Sequence, residues 1–142
     1  MLKIGLVGYS DKKFDVDFAK SLVNIGLLTA VNENLKDNMP QDIFIVSGLT
    51  NIGIPALGYA FAKSIGWKTV GIACSKASEF ECFPVDQTII VGSEWGDESE
   101  TFLNFIDALV RVGGGKQSLK EEETARQMGI PVYAYELPLK DS

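Results

Sequence analysis

Apolar residues along this chain fall into short continuous runs, separated by longer segments in which apolar and polar positions alternate at helical spacing. Residues 3–8, KIGLVG, are the first run; it is short, β-rich and closed by glycine, the pattern of a buried strand. The following FDVDFAKSLVNIG sets Phe14, Phe18, Leu22 and Ile25 at spacings of four, four and three. Those spacings predict one apolar stripe of an amphipathic helix, with Gly26 as its stop. LLTAVNENLKDNMPQ reads as a short edge strand with a polar loop. DIFIVSG is a second buried strand, leading into LTNIGIPALGYAFAKSIG, a helix with Pro55 suited to its first turn and Gly66 to its end.

KTVGIA is the third strand, SKASEFECFPVD a loop, QTIIVG the fourth strand and SEWGDESE an acidic turn before a short helix, ESETFLNFI. DALVRV is the fifth strand, GGGKQS its exit loop, LKEEETARQMG the last long helix and IPVYAYEL the final strand. Strands that alternate with helices and are themselves continuous apolar runs belong to a parallel sheet covered on both faces. The expected fold is α/β, a three-layer, doubly wound, mostly parallel Rossmann-like sheet. No repeat, low-complexity tract or linker divides residues 1–142, so a single domain is expected.

Composition narrows the chemistry. With 46% hydrophobic residues in 142, the chain has material for a full core without disulfide or metal staples. Thirteen basic against nineteen acidic residues give a net charge of -6, which opposes a nucleic-acid partner. No apolar run approaches the roughly 20 residues of a membrane span, so no membrane partner is expected. The two cysteines, Cys74 and Cys82, lack CxxC spacing, and nothing resembles a signal peptide; a reduced, cytoplasmic setting is the expectation. There is no histidine, which removes Ser-His-Asp and Cys-His catalysis and histidine metal sites together. No metal or cofactor is assigned, and acid or base work falls to a carboxylate, Lys, Tyr or Cys.

In doubly wound sheets ligands bind outside the carboxyl ends of the strands, which directs attention to the exits GYSDKK, SGLTNIGIP and GGGKQS. Each leads toward a helix whose first amides lack an intrahelical partner and carry the positive end of the dipole. The first exit offers Gly8, Tyr9 and Ser10; the second offers Gly48, Leu49, Thr50, Asn51 and Gly53. In the third, Gly113, Gly114 and Gly115 let amides converge on a phosphate, with Lys116 as a charge, Gln117 beside it, and Ser118 as hydroxyl donor or N-cap. The alternative is a tight strand-to-helix turn capped by Ser118. Three polar, glycine-bearing exits favour a ligand, a nucleotide or phosphorylated small molecule. GLTNIG has the glycine spacing of a phosphate loop but continues with Ile54-Pro55, so it is no Walker A motif, and GLVG at 5–8 is no dinucleotide fingerprint. Tyr9 stacks on a base or covers the sheet edge. Phe80, Phe83 and Trp95 pack a loop, or line a base pocket or subunit contact. The acidic turn is a solvated helix cap, or a carboxylate pair for ligand amino groups or a divalent ion.

These residues resemble, over nearly the whole chain, the Rossmann-like superfamily that includes the LOG proteins ("lysine decarboxylase-like" in older naming), molybdenum-cofactor carrier proteins and the DNA-processing protein A domain. GGGKQSLKEEE is similar to the LOG motif PGGxGTxEE: Gly114 and Gly115 fall on its glycine pair, Ser118 on its threonine and Glu121 on its second glutamate. Gly113 stands for the proline, Gln117 for a glycine and Lys120 for the first glutamate. SGLTNIGIPALG is similar to GGGxxGLMG, keeping Gly48 and Gly53, with Leu49 and Thr50 where further glycines are usual; GYS fills the place of GSS or GGS. The resemblance implies nucleotide phosphate on these loops and a homodimer paired through helices flanking the cleft. Tyr59 and Phe61, on different sides of GYAFAKSIG, fit such a surface. It also implies, for LOG enzymes, cleavage of an N-glycosidic bond by an arginine with a glutamate. The Arg-Lys pair of those enzymes aligns here with Glu98-Ser99. Two functions are therefore carried forward: a binding protein holding a nucleotide or phosphorylated ligand without chemistry, and a nucleoside 5'-monophosphate phosphoribohydrolase using Glu121. The likeness of VSGLTNIG to DNA-processing protein A raises DNA handling, which the net charge of -6 opposes.

Overall fold

The apolar runs build six strands in the computed structural model, which describes residues 1–35 and 42–140. They are β1 (Leu2–Gly8), β2 (Ile43–Ser47), β3 (Lys68–Ala73), β4 (Gln87–Ile90), β5 (Ala108–Val112) and β6 (Val132–Tyr135). Their order is β4-β3-β2-β1-β5-β6, and every pairing is parallel. Among the described residues four α-helices accompany them, α1 (Val16–Asn34), α2 (Gly53–Ser64), α3 (Ser99–Phe105) and α4 (Lys116–Gln127), with a short 3-10 helix at Ser75–Glu79. Successive side chains of a strand point to opposite faces, and the two faces are buried differently. Ile4, Leu6, Val110 and Val112 pack with Val23 and Leu27 of α1 and Tyr59 of α2. Val7, Val46 and Leu109 pack with Phe102 and Leu103 of α3 and Ala125 of α4. The result is a three-layer Rossmann-like α/β sandwich.

From β1 the chain steps outward through β2 and β3 to β4, then returns to the other side of β1 for β5 and β6. The exits of β1 and β5 therefore lead to helices on opposite faces, which opens a crevice between them.

Two expectations about α1 do not hold. Gly26 does not stop the helix, which continues through the segment expected as an edge strand to Asn34; residues 36–41 of that segment lie outside the described residues. The glycine is used for close approach: a Cβ at Gly26 would lie 2.8 Å from Val110 Cγ1 and 3.0 Å from the Tyr135 ring. The stripe is also turned. Ala19, Val23, Gly26, Leu27, Ala30 and Val31 face the sheet, while Phe18 and Ile25 are exposed and Phe14 precedes the helix, bridging to Leu139. A helix lying this close to a sheet selects small residues such as Ala19, Gly26 and Ala30 at the contact, and Phe18 and Ile25 are left outside.

The aromatic surface expected on α2 is likewise used within the chain. Tyr59 is fully buried and its hydroxyl lies 2.9 Å from the Gly48 carbonyl and 2.8 Å from that of Val70. Burial pushes that hydroxyl's pKa far up. Phe61 meets Trp67 edge to face, with centroids 5.7 Å apart.

Candidate functional site

At the carboxyl ends of β1, β2 and β5 lies a cavity of about 370 Å3. The first exit lines it with Gly8, Tyr9 and Ser10, followed by Asp11 and Lys12. The second contributes Ser47, Gly48 and Thr50, and the third Gly115, Lys116, Gln117 and Ser118. Glu121 enters from α4, and Trp95, Glu98 and Phe102 close the side toward α3. Three loops separated in sequence thus meet around one space. Leu49, Asn51, Gly53, Gly113 and Gly114 do not line it. Leu49 is buried against Ala73 and Ala77. Asn51 is turned to Glu81, which accepts from its side-chain amide at 2.7 Å.

The three consecutive glycines divide by what surrounds them. Gly113 and Gly114 have φ of 62° and 112°, the left-handed region, and a Cβ on Gly113 would press on the Tyr9 ring at 2.6 Å while one on Gly114 would meet Ser118 at 2.5 Å. These two are glycine for turn geometry and packing. Gly115 is different: its φ is -92°, and a Cβ there meets nothing within 4 Å. Gly115, not Ser118, is the N-cap of α4, which begins three residues earlier than the sequence pattern indicated. The bare N-cap faces the cavity, and the helix's first amides, those of Lys116, Gln117 and Ser118, have no intrahelical carbonyl to reach. Gly48, across the cavity, is equally bare. The open backbone of the site is therefore at positions 48 and 115.

Opposite these donors stand carboxylates. Glu121 is buried and accepts from the Ser99 hydroxyl at 2.8 Å. Burial pushes its pKa up and the neighbouring Glu98 adds to this, against the Ser99 and Gln117 donors that favour the charged form. Glu98 accepts from the Gly96 amide at 3.1 Å, and Asp97 accepts from the amides of Ser93 and Glu94, so much of the acidic turn caps its own backbone. Glu94 is paired with Lys76. Among the described residues no group of three or more His, Cys, Asp or Glu side chains is placed to hold a metal.

Sequence patterns missed two residues here. Lys12 lies in a loop without periodicity and brings a second cation to the cavity. Arg111 sits buried in an otherwise apolar strand, bonded to Glu122 of α4, to Glu136 at 2.6 Å and to the Gly113 carbonyl at 2.9 Å. Burial opposes its charge, but the two carboxylates outweigh that and hold the guanidinium more firmly protonated. Arg111 thus fixes the start of the glycine loop from beneath. Its charge inside the otherwise apolar strand ALVRV was the available signal.

No protein-family model matches the chain, and no curated protein matches it by sequence. Solved structures share its fold. The molybdenum cofactor binding protein of the phototrophic bacterium Rippkaea orientalis aligns at TM-score 0.74 and 22% identity, over 95% of this chain and 76% of that one. The molybdenum cofactor carrier protein of Chlamydomonas reinhardtii aligns at 0.71 and 19%, over 94% and 75%. TM1055 aligns at 0.70 and 23%, over 93% and 72%. At these identities the likeness establishes the Rossmann-like architecture. No helix among the described residues is long and apolar enough to cross a membrane.

Proposed function

We propose that the protein binds a nucleotide or related phosphorylated small molecule in the crevice between β1 and β5 and does not hydrolyse it. The observation that carries this reading is the bare N-terminus of α4. Gly115 leaves open space over amides that need acceptors, with Lys116 and Lys12 lining the same cavity. An oxyanion there receives hydrogen bonds, the helix dipole and two cations together. The fold neighbours, one named as a cofactor binding protein and one as a cofactor carrier, support a role in holding a small molecule.

Hydrolysis would require stabilisation of charge on the departing base or sugar. No arginine lines the cavity; the position aligned with the family's arginine is Glu98, of opposite charge. Loss of one such donor costs about 3–4 kcal/mol of barrier by analogy with oxyanion holes. The second reading, a phosphoribohydrolase, rests on Glu121, a buried carboxyl in the cavity whose raised pKa suits a general acid. Titration calorimetry with AMP, followed by chromatography of the same mixture, separates the two. Heat of binding with intact AMP is the expected result. Rapid release of adenine that disappears in Glu121→Gln would replace the binding protein with the enzyme.

A further inference from the structure

Two buried polar side chains of α4 line the cavity. Ser118 is 7% exposed, and its hydroxyl has no hydrogen-bond partner among the described residues. Glu121 is 8% exposed; it accepts from the Ser99 hydroxyl at 2.8 Å, and no cation pairs with it among the described residues. Helical side chains lean toward the helix N-terminus, so Glu121 lies over Gln117 and Ser118, four and three residues before it. Those residues carry two of the bare amides, and one helical turn is only about 5.4 Å. An anion held there is a close neighbour of a carboxyl group that solvent barely screens. Other charges line the cavity and the adjoining depression between α3 and α4, which meet at Glu121. They are Glu98 and Glu100 on the α3 side, Lys116 and Lys120 on α4, and Asp11 and Lys12 on the exit loop of β1. Three carboxylates thus balance three lysines, and the ionisation of Glu121 decides whether the surroundings are neutral or negative.

We propose that the site is proton-coupled: an oxyanion on the first turn of α4 is bound together with a proton on Glu121, so that its affinity falls as pH rises. This rests on the phosphate site proposed above and adds the regulation of that site. The neutral carboxyl group carries an O–H donor that joins the Ser118 hydroxyl, whereas the carboxylate offers an anion acceptors alone. Burial, reinforced by Glu98, already lifts the Glu121 carboxyl above its ordinary range, and a bound anion lifts it further. Between the free and the bound values, binding consumes a proton. Below the free value Glu121 is neutral beforehand; above the bound value the anion meets a carboxylate. Within that window affinity falls by at most about ten-fold per pH unit, the slope of one proton.

Calorimetric titration with AMP from about pH 5 to pH 8, in buffers of different ionisation heat, gives both the affinity and the number of protons taken up. Glu121→Gln keeps an acceptor for the Ser99 hydroxyl and removes the charge. The phosphate of AMP titrates in this range as well, but it does so in parent and variant alike, so the difference between them reads Glu121. The variant should take up fewer protons than the parent and, at the alkaline end, bind AMP roughly ten-fold tighter or more, the two converging toward low pH. Ser99→Ala removes a donor that favours the carboxylate and should move the loss of affinity to higher pH. The same pH profile and proton count in parent and Glu121→Gln, or a Ser99→Ala profile that does not move, overturns the coupling and leaves the phosphate site standing. Failure of AMP to bind the parent anywhere in the range overturns both.

Discussion

Replacing Gly115 with aspartate should strengthen the fold and abolish ligand binding together. The position is N-cap of α4, its φ of -92° and ψ of -156° are open to any residue, and no side chain now caps the helix. A Cβ meets nothing within 4 Å. Aspartate is among the best N-caps, better than glycine by a few tenths of a kcal/mol, and its charge at the helix N-terminus adds about 0.3–1 kcal/mol. Loss of glycine's freedom in the unfolded chain contributes about 0.4–1 kcal/mol more. The sum is on the order of 1 kcal/mol, or roughly 3 °C in Tm for a chain of this size. The same carboxylate takes up the amides that an incoming phosphate needs. At about 5 Å and an effective dielectric constant near 20, repulsion is ~3 kcal/mol per unit of ligand charge, more than a hundredfold in affinity. Thermal unfolding with and without AMP, together with calorimetric titration, reads both effects. AMP bound by the variant with undiminished affinity would remove the site, and a Tm lowered by several degrees would refute the claim that this backbone is unconstrained.

Three further outcomes are expected. Because burial, reinforced by Glu98, raises the folded pKa of Glu121, its stabilising contribution is complete below the unfolded carboxylate value near 4.3 and is lost as pH rises through the folded value. Glu121→Gln should therefore gain in Tm over the parent between pH 4 and pH 7; an advantage that stays flat refutes the assignment. Arg111→Met leaves the Gly113 carbonyl unpaired and takes one partner from the mostly buried Glu122, which should cost about 3 kcal/mol in urea unfolding; a cost under ~1 kcal/mol would mean the cluster behaves as a surface pair. We also propose a homodimer, now through α1, whose exposed Phe18, Ile25 and Leu28 form an uncovered apolar face. Light scattering should return a dimer for the parent and a monomer for Ile25→Glu, and a monomeric parent at high concentration contradicts the pairing.

What the sequence made legible was whatever depends on neighbours along the chain. Continuous apolar runs such as DIFIVSG and KTVGIA identified buried parallel strands, and the glycine-bearing exits pointed to one edge of the sheet. What depends on partners far along the chain stayed hidden. Gly26 has the signature of a helix end, and only the approach of Val110 and Tyr135 explains it inside one. In the glycine run, Tyr9 and Ser118 determine which two residues are packed, leaving Gly115 bare. Trp95 sits in a turn without periodicity, so the sequence could name it only as packing a loop or lining a pocket or contact, and its place at the cavity is set by elements far along the chain.

The contacts of the first exit loop bear on how the site varies and responds. The Tyr9 carbonyl accepts from the Ile54 amide at 2.8 Å, at the start of α2, and the Tyr9 ring fills the space where Gly113 lacks a side chain. Tyr9 therefore keys the second and third loops to the first, and no one of them is an independent module. Substitutions at 9, 53 and 113 should combine non-additively, and a relative that carries a side chain at 113 should carry a smaller residue at 9. A crevice interlocked in this way is shaped in advance: under the proposed binding function little backbone ordering should accompany a ligand's arrival, and selectivity should be altered by exchanging the three loops as a set.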